Sequence, residues 1–466
     1  MRKLYITLLF IAVIGSCNKF DEDININPNL PSNASGTQLL ANAMLSLSSI
    51  GSSPTAQFLA QYLAETQYPG ASLYPEGATS FYGWYQGPLM NIETVLNSDD
   101  LSGTEGPVAN QRAVAKILKA YFFWHITDRW GDVPFSEALK GAENFTPAYD
   151  TQESIYNELF RLLDEANSEI VSGNISNDII YGGNMTRWQK LGNTIHLLMA
   201  LRLSEKNPGK GKEEFNKALN AGIMTSNADN LVYKHLADAN NQSYWFGQWV
   251  NQNREWWALT ETLVDYMKPV EDPRLPVYGS PSRTGNEYVG LKFGTVDGLP
   301  NVVNYSLMGP AIYAQDMQMH LVTYAQALFA KAEAAKLGWI PGDDAEAKIN
   351  YDLAVQQSIA QWTGSSASAA DYLAQPEIAY SPATAMEQIG TQRWVHLYMH
   401  GYEAWAEWRR TGYPEGLVTP GGQAIPLRQS YTTNEAFNNT ANYNEAVQRQ
   451  FNGNDTQYGR VWWDMP

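Results

Sequence analysis

Apolar residues recur at three- and four-residue spacing along most of the chain, so helical signals dominate. The strongest run is Ala115 to Leu139, AKILKAYFFWHITDRWGDVPFSEAL. Val114, Leu118, Tyr121 and His125 share one face there, and Ile117, Phe122 and Trp124 widen it. A helix this aromatic must be buried on most sides, which predicts a central core helix. Gly131 suits a left-handed cap, and Pro134 biases Val133 towards an extended backbone. Asp128, Arg129 and Asp132 fall at that corner, where ion pairs would pin the turn.

Other helices are predicted at Gln38 to Ser49 and Thr55 to Thr66, joined by the turn Ser52-Ser53-Pro54. Residues 67 to 83 read as a surface loop, and Trp84 to Leu96 as a helix whose start Gly87-Pro88 kinks or delays. Thr151 caps Gln152 to Val171, with Ser154 three residues on. Trp188 to Leu203, Lys212 to Ala221 and Leu259 to Met267 follow, then a Gly-, Pro- and Asn-rich stretch at 278 to 310. Ala311 to Leu337 and Asp343 to Trp362 form the clearest pair. Ala325, Leu328, Ala332 and Ala335 give a close-packing face, answered by Tyr351, Ala354 and Ile359. Such hairpins resemble tetratricopeptide units, without a strict 34-residue period. The tail from Pro420 to Pro466 has little periodicity and is expected to wrap over the helices. The fold class is mostly α, a single domain of helical pairs with loop-rich insertions and an irregular C-terminal wrap.

Charge narrows the range of partners. With 31 basic against 48 acidic side chains, the net charge is -17, which disfavours a nucleic-acid partner. The first residues add more. Arg2 and Lys3 precede the apolar run Leu4 to Ile14, and Gly15-Ser16-Cys17 follows, the pattern of an export signal. Its apolar part is too short to span a bilayer. Cys17 is the sole cysteine, so no disulfide forms within one chain. Its position resembles a bacterial lipobox, although Gly15 stands where Ala or Ser is more usual. Residues 1 to 16 therefore read as a signal peptide, 17 to 35 as a lipidated tether, and 36 to 466 as the folded body. Losing Arg2 and Lys3 takes the mature charge to -17 - 2 = -19.

The chain does not look catalytic. Glu403 and Glu407 lie one helical turn apart on one face, whereas a glycosidase needs carboxylates facing each other across a cleft. His396 and His400 share that spacing but lack an HExxH pattern and sit among core aromatics. No GxSxG, Walker or dinucleotide-binding glycine motif occurs, and nothing calls for a cofactor or a metal.

Aromatic clusters remain. Trp and Tyr offer flat apolar faces to the C–H side of a sugar ring or to peptide side chains, and Asn, Gln and Arg supply directional bonds. One cluster holds Tyr68, Tyr74, Phe81, Tyr82, Trp84 and Tyr85, with Gln86 and Asn91. The other is NNQSYWFGQWVNQNREWW, Asn240 to Trp257, with Tyr244, Trp245, Phe246, Trp249, Arg254, Trp256 and Trp257. The ligand-binding candidates are Trp84, Tyr85, Asn91, Tyr244, Trp245, Trp249, Arg254 and Trp256, with Cys17 as the lipidation site.

The run FFWHITDRWGDVPFSEAL resembles the helix-and-loop signature of the SusD/RagB family of outer-membrane nutrient-binding lipoproteins, through Trp124, Asp128, Trp130, Gly131, Asp132, Val133, Pro134 and Phe135. Arg393 to Pro414, RWVHLYMHGYEAWAEWRRTGYP, resembles the same family's late helix. The resemblance covers nearly the whole chain. It implies a surface lipoprotein, facing the cell exterior, that captures a glycan and delivers it to a TonB-dependent, SusC-like outer-membrane transporter without catalysis. Peptide capture is the alternative. A surface glycoside hydrolase is the second, with Asp128 or Asp132 opposite Glu255. A purely structural subunit is the third.

Overall fold

Side-chain caps fix where many of the helices begin. Ser35, Thr151, Asn184, Asn207, Thr260 and Thr323 each accept a backbone N–H in the first turn of the helix that follows, meeting donors that would otherwise go unpaired. The computed structural model describes residues 34–77, 79–295, 298–418 and 420–464. The expected signal peptide, Cys17 and nearly all of the tether lie outside them.

In chain order the principal elements begin with Gly36–Leu45 (α1), Pro54–Leu59 (α2), Leu63–Glu65 (β1), Met90–Asn97 (α3) and Val108–Trp130 (α4). Val133–Pro134 (β2), Tyr149–Asp150 (β3), Gln152–Glu169 (α5), Met185–Arg202 (α6) and Pro208–Ala221 (α7) follow. Next come Leu231–Lys234 (β4), Trp257–Leu259 (β5), Glu261–Met267 (α8), Gln318–Val322 (β6), Tyr324–Lys336 (α9) and Asp343–Thr363 (α10). Ala385–His396 (α11), Gly401–Thr411 (α12), Thr433–Asn438 (α13) and Thr440–Phe451 (α14) complete the set. Helices α4 and α5, α6 and α7, α9 and α10, and α11 and α12 pack as neighbouring pairs, and α5–α6, α6–α9 and α9–α11 contacts join pair to pair. Ala325, Leu328 and Ala332 share one apolar cluster with Tyr351, Ala354 and Ile359, the packing their spacing predicts.

The central helix α4 is buried along most of its length and ends at Gly131, whose φ of +87° suits glycine. A Cβ there would also lie 2.3 Å from Oε1 of Gln450, the atom that accepts the Asp132 N–H. The corner beyond it is pinned, but not by pairing among Asp128, Arg129 and Asp132. Asp128 accepts from Tyr156 Oη and Trp463 Nε1. Arg129 Nε donates to Gln429, and Asp132 holds Gln152 N and Arg449. Together these side chains tie the end of α4 to α5, to α14 and to the tail at Gln429 and Trp463.

Three regions differ from the helical reading. Thr55 to Thr66 stops being helical at Leu59: Gln61 takes φ +54°, and Leu63–Glu65 becomes a strand paired with Trp257–Leu259. Ala311 to Leu337 is helical only from Tyr324, because Gln318–Val322 pairs antiparallel with Leu231–Lys234. The tail does wrap over α4, with Tyr431 Oη donating to the Asp132 carbonyl. It also carries α13 and α14, whose narrow apolar side buries Ala446, Val447 and Phe451.

Buried charges join the helical pairs. Arg202 on α6, fully buried, reaches Glu403 and Glu407 on α12 at 2.7 Å each and Asp128 on α4 at 3.2 Å. Glu407 also takes Arg393 and Arg410, which both contact Glu333 on α9. Burial pushes Glu407 up, but Arg410, Arg393 and Arg202 outweigh it and hold the carboxyl below its usual range. Burial wins at Glu403, pushed up to about 7.

Candidate functional site

The β1–β5 ribbon brings the two aromatic stretches together. Leu63 pairs with Leu259 and Glu65 with Trp257, and the Thr66 N–H continues the ladder to the Trp256 carbonyl at 2.7 Å. Successive side chains alternate across a strand, so Trp257 turns into the core beside Trp245 while Trp256 turns outwards. Tyr68, 59% exposed, meets Trp256 edge-to-face with ring centroids 5.2 Å apart. The Arg254 guanidinium lies 4.6 Å from the Trp256 ring centre, and its Nη1 donates to Gln248 Oε1 at 2.6 Å. The π-helical turn Gly247–Asn251 sets that Gln248–Arg254 contact.

Each side chain therefore has a definite post. Tyr244, Arg254 and Trp256 are half-buried and keep a solvent-facing surface. Trp245 is 0% exposed and packs edge-on to Trp257 at 5.3 Å; Trp249 is buried and stacks on Tyr313 at 4.7 Å. Those two indoles are packed into the interior and offer no open face.

Trp84, Tyr85 and Asn91 sit elsewhere. The Trp84 ring packs on Phe122 and His125 of α4. Tyr85 Oη donates to the Pro134 carbonyl at 2.6 Å, and Asn91 Nδ2 donates to Asn42 on α1. These groups join α3 and its leading turn to α1 and α4.

Beneath the platform, Glu65 is 6% exposed and has no cationic partner among the described residues. Its Oε1 accepts the Gln67 N–H at 3.1 Å. Burial pushes the carboxyl up to about 7, against the pull of backbone N–H groups at Gln67 and Tyr68. Nothing in composition marked Glu65; the signal was its place in Leu63-Ala64-Glu65-Thr66, readable only once the strand partner is known.

The arrangement is an exposed aromatic face flanked by a guanidinium and amides, suited to reversible binding of a ligand with apolar faces and polar edges. The carboxylates expected for hydrolysis are occupied elsewhere. Asp128 and Asp132 hold the α4 corner, whereas Glu255 pairs with Arg283 at 2.8 Å. His396 spends both ring nitrogens on Thr323 and Ser358, and no cluster of potential metal ligands occurs among the described residues.

A family model described as starch-binding, associating with the outer membrane, matches residues 28–432. The chain belongs to the SusD-like family. Solved structures agree in fold over nearly the full length. A chitin-binding protein is 28% identical with a TM-score of 0.82, covering 93% of this chain and 100% of its own. A SusD homologue from Bacteroides fragilis is 25% identical, TM-score 0.79, with the same coverage. A chitin-binding SusD homologue from Flavobacterium johnsoniae, 23% identical with TM-score 0.78, shares the fold over 92% of this chain and 98% of its own. No curated protein sequence matches. The SusD-like assignment accounts for the helical pairs and places the chain among binding proteins of the outer membrane. Among the described residues no helix is long and apolar enough to cross a membrane.

Proposed function

We propose that this protein captures an oligosaccharide or polysaccharide at the outer surface of the cell, without cleaving it, and delivers it to a TonB-dependent, SusC-like transporter. The observation that carries the reading is the Tyr68–Trp256–Arg254 platform, held in place by the β1–β5 ladder. Pyranose rings present C–H faces that pack on aromatic planes, while their hydroxyls seek donors such as the Arg254 guanidinium and acceptors such as Gln248. Relatives described as chitin-binding support a glycan over a peptide. Lipidation at Cys17 would tether the body to the membrane, since acyl chains supply an anchor and no helix among the described residues is long and apolar enough to cross a bilayer.

The test is calorimetric titration with chitin and starch oligosaccharides and peptide digests, followed by product analysis of the same samples. Saturable glycan binding with unchanged oligosaccharide length is expected. Trp256→Ala should weaken it at least tenfold, about 1.4 kcal/mol, leaving the unfolding midpoint nearly unchanged. Cleavage products, or binding confined to peptides, would overturn the proposal.

A further inference from the structure

Lined by none of the platform residues, a groove of about 270 Å³ opens between the turn that leads into α3 and the loop between β2 and β3. Phe81, Tyr82, Tyr85, Met90, Leu139 and Phe145 form much of its wall. Four features set it apart. Phe145 on its rim is 79% exposed, and among the described residues only Phe437 exposes a larger share of a large apolar side chain. Leu139 is held at φ +65°, a conformation that bulky side chains seldom adopt. Tyr85–Leu89, on the opposite wall, is a π-helical turn, a geometry frequent at functional sites. The loop is also fastened: Asn439 Nδ2 donates to the Pro147 carbonyl and Asn442 Nδ2 to that of Thr146, each within 2.9 Å. The exposed Phe145 is thus presented on an anchored segment.

The polar groups of the groove are already spent. Glu435 accepts from Tyr82 Oη on one oxygen and Tyr149 Oη on the other, both at 2.5 Å. Tyr85 Oη is taken by Pro134, and Asn144 Nδ2 by Glu137. Among the lining side chains that leaves the Gln86 amide without a described partner. A sugar ring, polar around its whole edge, would leave most of its hydroxyls unmet here; an apolar side chain would lose nothing. Ala138 and Leu139 also line an adjoining cavity of about 790 Å³. Its charged groups are Glu93, Glu143, Asp150 and Glu158 against Lys119 and Lys140; Glu93 holds Lys119 and Glu158 holds Arg161, which leaves Glu143 and Asp150 facing Lys140. The Asp150 carboxylate is bound by neutral donors, the N–H groups of Phe135 and Ser136.

We infer that this groove and cavity form a docking surface for a polypeptide segment of another protein, one that seats an aliphatic or aromatic anchor beside Leu139 and Phe145 and lays lysine or arginine residues over the acidic cavity. Exposed aromatics around an apolar pocket are what interface anchors fill. The charge excess beside the pocket, on a chain of net charge -17, selects a basic flank by complementarity.

Fluorescence anisotropy with the whole folded chain tests it. The probes are labelled twelve-residue synthetic peptides with one Leu-x-x-Trp anchor, flanked by Lys, by Glu or by Ser. The Lys-flanked peptide should bind at least tenfold more tightly than the Glu-flanked one and weaken as salt rises. Phe145→Ser and Leu139→Gly should each weaken it about tenfold. Neither threatens the fold, since Phe145 is exposed and glycine favours the backbone at 139. Trp256→Ala should leave peptide binding unchanged, separating this surface from the platform. Equal affinity for the Glu-flanked peptide, indifference to both groove variants, displacement by a glycan oligomer, or no binding by any peptide would each overturn the inference.

Discussion

Replacing Glu65 by glutamine removes the one charge set beneath the platform while keeping its size and its acceptor for the Gln67 N–H. Burial raises the folded carboxyl from 4.5 to about 7. A shift of that size is worth about 3 kcal/mol at 1.36 kcal/mol per unit, or about 2–3 after relaxation around the charge. The sign follows from which state holds the proton. The folded chain keeps it to higher pH than the unfolded chain, so the contribution is complete below about pH 4.5 and disappears as pH rises through 7. Above that, the native state carries a buried carboxylate without a counter-ion. Glu65→Gln should therefore change stability little near pH 4.5 and gain about 2–3 kcal/mol relative to wild type near pH 8. Urea unfolding followed by tryptophan fluorescence at both pH values measures it. The difference between the two differences isolates Glu65 from every other titrating group. A Gln-minus-Glu difference that does not vary with pH would refute the reasoning.

Three further substitutions probe how α6 and α12 are held. Arg202→Met strands Glu403 and removes one cation from Glu407 and Asp128; it should cost about 3–5 kcal/mol in the same urea assay, most of it above pH 7, where Glu403 ionises. Gly401→Ala places a Cβ 2.2 Å from the Ala56 carbonyl oxygen, where α12 crosses α2, and should lower stability by about 2–3 kcal/mol. Gly412→Ala, at φ +77° with nothing near its Cβ, should cost about 1 kcal/mol.

Local helical periodicity was legible in the sequence and pairing between distant strands was not. The α4 face, its Gly131 stop and the Thr151 cap all follow from residues a few positions apart, and the structure has them. β1 and β5 are three residues each and make sense only as a pair almost 200 positions apart, a separation that local patterns do not encode. The same limit explains the aromatic cluster. Trp245, Trp249, Trp256 and Trp257 are one residue type in one polar stretch, yet a ribbon edge and a π-helical turn send Trp256 outwards and the other three in. The tail helices α13 and α14 were hidden for a different reason. Asn, Gln and Tyr dominate them, and three buried apolar residues make too thin a stripe to read. Glu403 and Glu407, by contrast, read as structural from spacing alone, because two carboxylates on one helix face cannot oppose each other. What spacing could not supply was their shared partner, Arg202.

Trp463 donates its indole N–H to Asp128 and is itself fully buried beside the Arg202 and Arg409 guanidinium groups. The middle of the molecule is thus sealed by a side chain 335 positions along the chain from Asp128. On their own α4 and α6 lack the group that closes over them, so native packing at Asp128 waits for a contact of high loop-closure cost. Trp463 acts as a clasp, setting when the fold can finish.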